Sequence, residues 1–402
     1  MSAPGSSRAG SARAGGSQRS DIAMFHVMDV LAASAARRAA GLEVVSLAAG
    51  QPSTPAPAPV LRAVRSALAT DVLGYTESAG IAPLRTAIAG HYRTRYGLEV
   101  DPADVVVTTG SSGAFTLIFL AAFDVGDRVA MARPGYPAYR NTLRALGCEV
   151  VELDCGAATG FVPTVEMLDA LDSPPAGLIV ASPANPTGTV ITPHDLAALA
   201  TWCADHGTLL ISDEIYHGIE YAGPTSCAWT TSRESVVMGS VSKYFSMTGW
   251  RLGWMLVPQR YRRGVERLTA NLTICPPAVS QAAAVAAFDP ESIAECDSHV
   301  ERYAANRAVL LDGLATLGVT DIAPPDGAFY VYADIGDVTD DSLSWCARVL
   351  ADTGVAMAPG ADFDTRSGNR TVRLSFAGTT AEIERGLELL TPVFETSRLH
   401  AG

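Results

Sequence analysis

The sequence predicts an α/β fold: a large domain with a mostly parallel central sheet covered by helices, followed by a smaller α+β domain. Three observations carry this. Between Val105 and Val257, short apolar runs alternate with helical stretches, the pattern of strands buried on both faces and joined by crossovers. After about Pro276 the order changes, with helices first and separate strands later. At 402 residues, 48% hydrophobic and 18% charged, the chain can fill one large core and a smaller one.

Residues 1–20, rich in Ser, Gly, Ala and Arg, read as a disordered tail. No apolar run follows their arginines, so they do not read as a secretory signal, and they are too Gly-rich for an amphipathic presequence. Residues 21–47 read as an N-terminal segment packing with the small domain. Ile22, Phe25, Val30 and Leu31 fall at helical spacing and predict a helix from Ile22 to Ala40; Val44 to Leu47 predict a short strand. The large domain is assigned to residues 48–288. It opens on the loop Ala48-Ala49-Gly50-Gln51-Pro52. Pro55, Pro57 and Pro59 then lead into a helix through Leu68, and a helix from Ala82 through Tyr96 follows the turn Gly74-Tyr75-Thr76. Strands are predicted at Val105 to Val107, Arg128 to Met131, Val150 to Leu153, Gly177 to Ala181, Leu209 to Ile211, Val236 to Gly239 and Trp254 to Val257. Helices are predicted at Ser112 to Phe123, Pro137 to Leu146 and Pro193 to His206, the last capped by Thr192. The small domain, 289–402, holds a helix from Pro290 through Leu317, strands at Phe329 to Tyr332, Val355 to Met357 and Val372 to Phe376, a helix near Leu343 to Ala351, and a final helix.

The net charge of −13, with no basic block, argues against nucleic acid or an anionic membrane as partner. No apolar run is long enough to span a bilayer. The seven cysteines are scattered and form no Cys-x-x-Cys pair, as in a reduced cytoplasmic protein. The seven histidines form no metal-ligand pattern, so no metal site is expected.

The chemistry centres on Ser240-Val241-Ser242-Lys243, with Gly249-Trp250-Arg251 close behind. The apolar run Val236-Val237-Met238 places Lys243 just beyond a buried strand. A lysine near apolar walls and other cations loses affinity for its proton and becomes a nucleophile that condenses with aldehydes. Ser240, Ser242 and Arg251 beside it could hold a phosphate. An amine next to a phosphate cradle suggests pyridoxal 5′-phosphate. Other polar groups stand at strand ends, where open α/β sheets bind ligands. Gly110-Ser111-Ser112-Gly113, between a strand and a helix, offers amide donors for a phosphate. Asn185, in Ser182-Pro183-Ala184-Asn185-Pro186-Thr187-Gly188, could donate to a phenolate oxygen, and Tyr216 could join it. Asp213 follows a buried strand, where a carboxylate is costly without a partner; a pyridinium N–H would serve, and the ring would become an electron sink. Arg373, in an alternating strand, could grip a carboxylate through two hydrogen bonds. Each feature alone also has a plain structural reading as a turn, a helix cap or a salt bridge.

Together, Tyr75 with Gly80 and Leu84-Arg85, Asn185-Pro186-Thr187-Gly188, Asp213-Glu214-Ile215-Tyr216, Ser240-x-Ser242-Lys243 with Gly249-Trp250-Arg251, Gly327-Ala328-Phe329-Tyr330 and Arg373-Leu374-Ser375-Phe376 resemble the class I/II aminotransferases of pyridoxal-phosphate fold type I. The resemblance runs from about Ile22 to the C-terminus. It implies that Lys243 forms the internal aldimine and then moves the proton between Cα and C4′. It implies Asp213 on the pyridine nitrogen, Asn185 and Tyr216 on the phenolate oxygen, and Tyr136 stacked on the ring. Ser111, Ser112, Ser240, Ser242 and Arg251 would bind the phosphate. Arg373, helped by the loop at Gly50 and by Asn185, would bind the substrate carboxylate. Tyr75 would reach the phosphate of a neighbouring subunit, so a homodimer is implied.

The expected activity is a ping-pong transamination between an amino acid and a 2-oxo acid. The same equipment would serve a β- or γ-eliminating lyase, a synthase or an oxidase of this fold, and side-pocket geometry decides between them. A transcription regulator with an aminotransferase-like domain would need a DNA-binding domain ahead of it, and only about twenty residues precede the fold. No lysine or arginine announces a site for a second substrate carboxylate.

Overall fold

The structure, a computed structural model, describes residues 16–401. The predicted tail therefore falls outside the described residues up to residue 15; Gln18–Ser20 form a single 3₁₀ turn. The helices are α1 (His26–Ala39), α2 (Ala58–Thr70), α3 (Ala82–Tyr96), α4 (Gly110–Ala122), α5 (Pro137–Leu146), α6 (Val165–Asp169), α7 (Pro193–His206), α8 (Gln259–Leu272), α9 (Ala278–Ala284), α10 (Pro290–Thr316), α11 (Ser342–Thr353) and α12 (Thr380–Ala401).

The main sheet has seven strands: β2 (Val105–Thr108), β3 (Arg128–Arg133), β4 (Glu149–Asp154), β5 (Gly177–Ala181), β6 (Leu209–Asp213), β7 (Val236–Ser240) and β8 (Gly253–Leu256). Their spatial order is β2-β8-β7-β6-β5-β3-β4. Both faces are buried, and the pleat sends alternate residues into different cores. Val105, Val107, Leu178, Val180, Leu210 and Val237 enter one cluster. Val106, Val129, Met131, Ile179, Leu209, Ile211, Val236 and Met238 enter the other. This is why those runs read as uninterrupted apolar stretches. A three-stranded antiparallel sheet, β11 (Ala358–Pro359), β12 (Thr371–Ser375) and β9 (Tyr330–Asp334), lies further along the chain. The short strand β1 (Val45–Ser46) pairs in parallel with β10 (Val355–Ala356).

Three details add to or differ from the sequence reading. The first is β8, which runs antiparallel to both β7 and β2, while the pairs β3–β4, β3–β5, β5–β6 and β6–β7 are parallel. A strand buried on both faces carries no mark of its direction. Second, α1 starts at His26 rather than Ile22. The Asp362 carboxylate accepts the His26 and Val27 backbone N–H groups, each at 2.8 Å, and so satisfies two of the unpaired donors of that helix end. Third, α8 was not read from the sequence. Its buried Val265, and Tyr261 and Leu268 packed with it, sit at helical spacing but are separated by arginines and other polar residues.

The cap predicted for α7 is present. Thr192 Oγ1 accepts the Asp195 N–H at 3.1 Å to start α7, and Gly207, in the left-handed region at φ 68°, ends it. No helix among the described residues is long and apolar enough to cross a membrane.

Candidate active site

The site lies along one edge of the main sheet. The parallel strands β3, β5, β6 and β7 end there, and β2 ends beside them. The antiparallel β8 begins at the same edge, with Gly253 in register with both Thr108 and Ser240. That reversal returns Arg251 to the edge that Lys243 has just left. Two glycines let the backbones converge. A Cβ on Gly253 would stand 2.8 Å from the Ser111 nitrogen, and one on Gly110 would stand 2.4 Å from Arg251 Nη2. Gly110 also has φ +75°, a conformation that L side chains rarely adopt. The Gly110–Gly113 stretch is the first turn of α4 rather than a loop before it. The free N–H groups of that helix end and the Arg251 guanidinium therefore face one small volume.

A cavity of about 640 Å³ opens from this edge. Of the residues singled out in the sequence, Ser111, Ser112, Tyr136, Asn185, Asp213, Tyr216, Ser242, Lys243 and Arg251 line it. Lys243 Nζ donates to the Gly50 carbonyl at 2.6 Å and stands 5.6 Å from the centre of the Tyr216 ring. Burial, and after it the charge of Arg373, pushes the Lys243 ammonium down to about 8. Asp213 is 3% exposed. Burial pushes its carboxyl up to about 6, opposed by hydrogen bonds from the Tyr139 hydroxyl and from the Ile215 N–H at 3.2 Å. At neutral pH a charged carboxylate therefore shares one wall with a lysine whose proton is held less tightly than usual.

Arg373 does not line this cavity but stands directly behind Asn185, 2% exposed. Its Nη1 donates to Asn185 Oδ1 at 2.9 Å and its Nη2 to the Ala48 carbonyl at 2.7 Å, while Nε has no partner. A guanidinium can only donate, so the Asn185 oxygen must face it and the amide N–H₂ is left for the cavity. The guanidinium packs over the rings of Tyr330 at 4.4 Å and Phe363 at 4.8 Å. The Tyr330 and Tyr216 hydroxyls are 2.7 Å apart. Gly50 belongs to the same cluster: a Cβ there would stand 2.4 Å from the Tyr330 hydroxyl.

Besides Arg373 and Gly50, two more predicted residues stand apart from the cavity wall. Ser240 is buried behind it, where its hydroxyl accepts the Ser242 N–H at 3.0 Å and donates to the Leu252 carbonyl at 3.3 Å, bracing the turn. Tyr75 is 84% exposed on the loop before α3. Sequence reading assigned no role to Tyr139, Tyr330 or Ala48. Tyr139 carried a usable signal, since it lies in the first turn of α5, three residues after Tyr136 at the N-cap, and the two ring centroids stand 5.3 Å apart.

Comparison with known proteins identifies the family. The family model for aminotransferase class I and II matches residues 43–390. The chain is 58% identical over 371 residues to a valine–pyruvate aminotransferase of Mycobacterium tuberculosis, covering 92% of this chain and 96% of that one. It superposes on the crystal structure of an aminotransferase from Mycobacterium tuberculosis with a TM-score of 0.93 at 56% identity, covering 94% of this chain and 99% of that chain. The aspartate aminotransferase of Thermus thermophilus with maleate gives a TM-score of 0.89 at 33% identity, again over 94% and 99%. These matches run through the main sheet, the cavity edge and the strand that carries Arg373, and on them the chain belongs to the class I and II aminotransferases and is a transaminase of fold type I.

Proposed function

We propose that the chain holds pyridoxal 5′-phosphate in this cavity and moves amino groups between amino acids with apolar side chains and a 2-oxo acid such as pyruvate. One observation carries the reading: a depressed lysine and an ionised carboxylate face the same cavity whose far end is an anion cradle. The residues fit the cofactor at both ends. Ser111, Ser112, Ser242 and Arg251 offer donors to a phosphate, and Ser240, predicted to join them, instead braces the turn behind Ser242. Asp213 offers an acceptor to a protonated ring nitrogen. When bound, the cofactor supplies an aldehyde for an amine to capture and a ring that accepts the electron pair left on Cα.

Lys243 holds the cofactor through Nζ, and the same nitrogen later carries the proton taken from the substrate Cα. Asp213 keeps the ring nitrogen protonated. The Asn185 amide and the Tyr216 hydroxyl donate to the phenolate oxygen, with Tyr330 donating to Tyr216 in turn. Tyr136 supplies a flat face, and burial pushes its phenol up to about 12, so it stays neutral. Arg373, bonded here to Asn185 and to the Ala48 carbonyl, would grip the substrate carboxylate by exchanging one of these partners for it, aided by the Gly50 loop. Without a 2-oxo acid, a good amino acid should yield one equivalent of its oxo acid per site and then stop; a second 2-oxo acid should restart the reaction. Sustained release of ammonia or of a side-chain fragment without an acceptor would point to a lyase.

The substrate class rests on two supports. The 58% identical relative is named for valine and pyruvate. The cationic side chains on the cavity wall are Lys243 and Arg251, both already engaged in the reading above, whereas Phe25, Met28, Phe115 and Ile215 present apolar surface. A dicarboxylic substrate would need one more cation. The division into domains at about residue 288 and a cytoplasmic location with reduced thiols belong to the same reading, the latter supported by seven unpaired cysteines.

The homodimer rests on Tyr75, whose ring stands free of its own cavity. Mixing Lys243→Ala with Tyr75→Phe subunits should give hybrids with one site carrying both lesions and one carrying neither. Activity should rise above the mean of the two parents. Verified hybrids without that gain would remove Tyr75 from the partner's site.

A further inference from the structure

The segment ahead of α1 crosses the cavity mouth without regular structure of its own, so something must hold it there. Phe25 and Met28 line the cavity. The Phe25 ring meets Tyr136 edge-on, with centroids 5.9 Å apart. Asn141 Nδ2 donates to the Ala23 carbonyl at 3.2 Å, a single tie to α5. The stronger tie is Asp362, whose two carboxylate oxygens each accept one backbone N–H, from His26 and from Val27, at 2.8 Å. These donors are not paired within the helix, and the carboxylate also stands at the positive end of its dipole.

Asp362 is itself fixed. It is 2% exposed, in the 3₁₀ turn Gly360–Asp362, and its carbonyl accepts from Arg140 Nη2 at 2.9 Å. The next residue, Phe363, packs its ring under Arg373 and accepts the Gly135 N–H at 2.9 Å, next to Tyr136. One turn therefore ties the N-terminal segment, the Tyr136 loop and Arg373 to each other.

We propose that Asp362 is a positioning residue for substrate selection: it pins the start of α1 so that Phe25 forms the apolar wall against which the substrate side chain is read. The proposal rests on the apolar-substrate reading above. Phe25 does no chemistry and Asp362 does not touch the cavity, so their loss should act on side-chain recognition more than on the chemical step.

The test uses the holoenzyme and two variants. Asp362→Asn keeps one acceptor oxygen and loses the other, so one of the two N–H groups loses its partner. Backbone hydrogen exchange across residues 22–31, read by mass spectrometry, should then quicken about tenfold or more, a local opening of low cost. KM for valine should rise about tenfold, with kcat within about twofold, and KM for alanine should rise less, because a wall contact with one or two methyl groups is what is lost. Phe25→Ala should raise the valine KM in the same way without quickening exchange at His26 and Val27, and it keeps the proposal testable if Asp362→Asn folds poorly. Unchanged exchange in Asp362→Asn would overturn the pin. Equal KM increases for alanine and valine in Phe25→Ala would overturn the wall. Should the parent enzyme itself prefer an acidic amino acid, the substrate reading would fail, and the exchange measurement would still decide the pin.

Discussion

Lys243→Ala should lower turnover by about 10⁴-fold or more, equivalent to about 5.5 kcal/mol of barrier, because one substitution removes both a nucleophile and a proton carrier. The loss should not come from unfolding. Lys243 makes one hydrogen bond, to the Gly50 carbonyl, and alanine leaves that acceptor next to an open cavity where water can reach it. The phosphate cradle, Asp213 and Asn185 remain, so the variant should still bind the cofactor, measurably weaker, by equilibrium dialysis. A second consequence follows from the depressed amine. Cofactor-free wild-type protein should take up pyridoxal phosphate faster as pH rises through about 8, where Nζ loses its proton. An inflection near 10, the ordinary lysine value, would show that burial and Arg373 do not depress this amine. Near-normal turnover of a carefully purified Lys243→Ala protein would remove Lys243 from the centre of the mechanism.

Three of the residues legible in the sequence share a property: each sits in a short motif at the end of an apolar strand. Lys243 follows β7, Asp213 ends β6 and Asn185 follows β5, so local pattern alone brings them to one edge. What stayed illegible depends on partners far along the chain. Tyr139 meets Asp213 across 74 residues, Tyr330 meets Tyr216 across 114, and the start of α1 is set by Asp362 across 336. Periodicity cannot report such pairs, because either member would look the same with another partner. The direction of β8 was hidden for a different reason. An apolar strand buried on both faces fits a parallel or an antiparallel neighbour equally well, and only the short return through Gly249 and Arg251, too brief for a crossover helix, bears on which applies. The family resemblance supplied roles that local pattern left open, notably for Tyr75 and Arg373.

Asp213→Asn should cost about 10²-fold to several 10³-fold in kcat, the range expected when one member of a buried charge pair is removed at about 3–5 kcal/mol. Shape should be nearly preserved. The Ile215 N–H can only donate, so the asparagine oxygen stays on it, and the new N–H₂ takes the place of the oxygen that accepted from Tyr139. The Tyr139 hydroxyl can turn to accept instead. What disappears is the negative charge that holds a proton on the ring nitrogen, and with it the pull on electrons leaving Cα. The direct measurement is exchange of the substrate α-proton with deuterated solvent, which reports Cα–H cleavage even where product release limits turnover. Exchange at the wild-type rate in Asp213→Asn would exclude this role. The pH dependence gives an independent check. With its carboxyl pushed up to about 6, wild-type Asp213 is charged above that pH and neutral below it. Cofactor affinity should therefore fall as pH drops through about 6 in the wild type, and this acid limb should be absent in Asp213→Asn, whose amide does not titrate. An acid limb that survives the substitution unchanged would belong to another group.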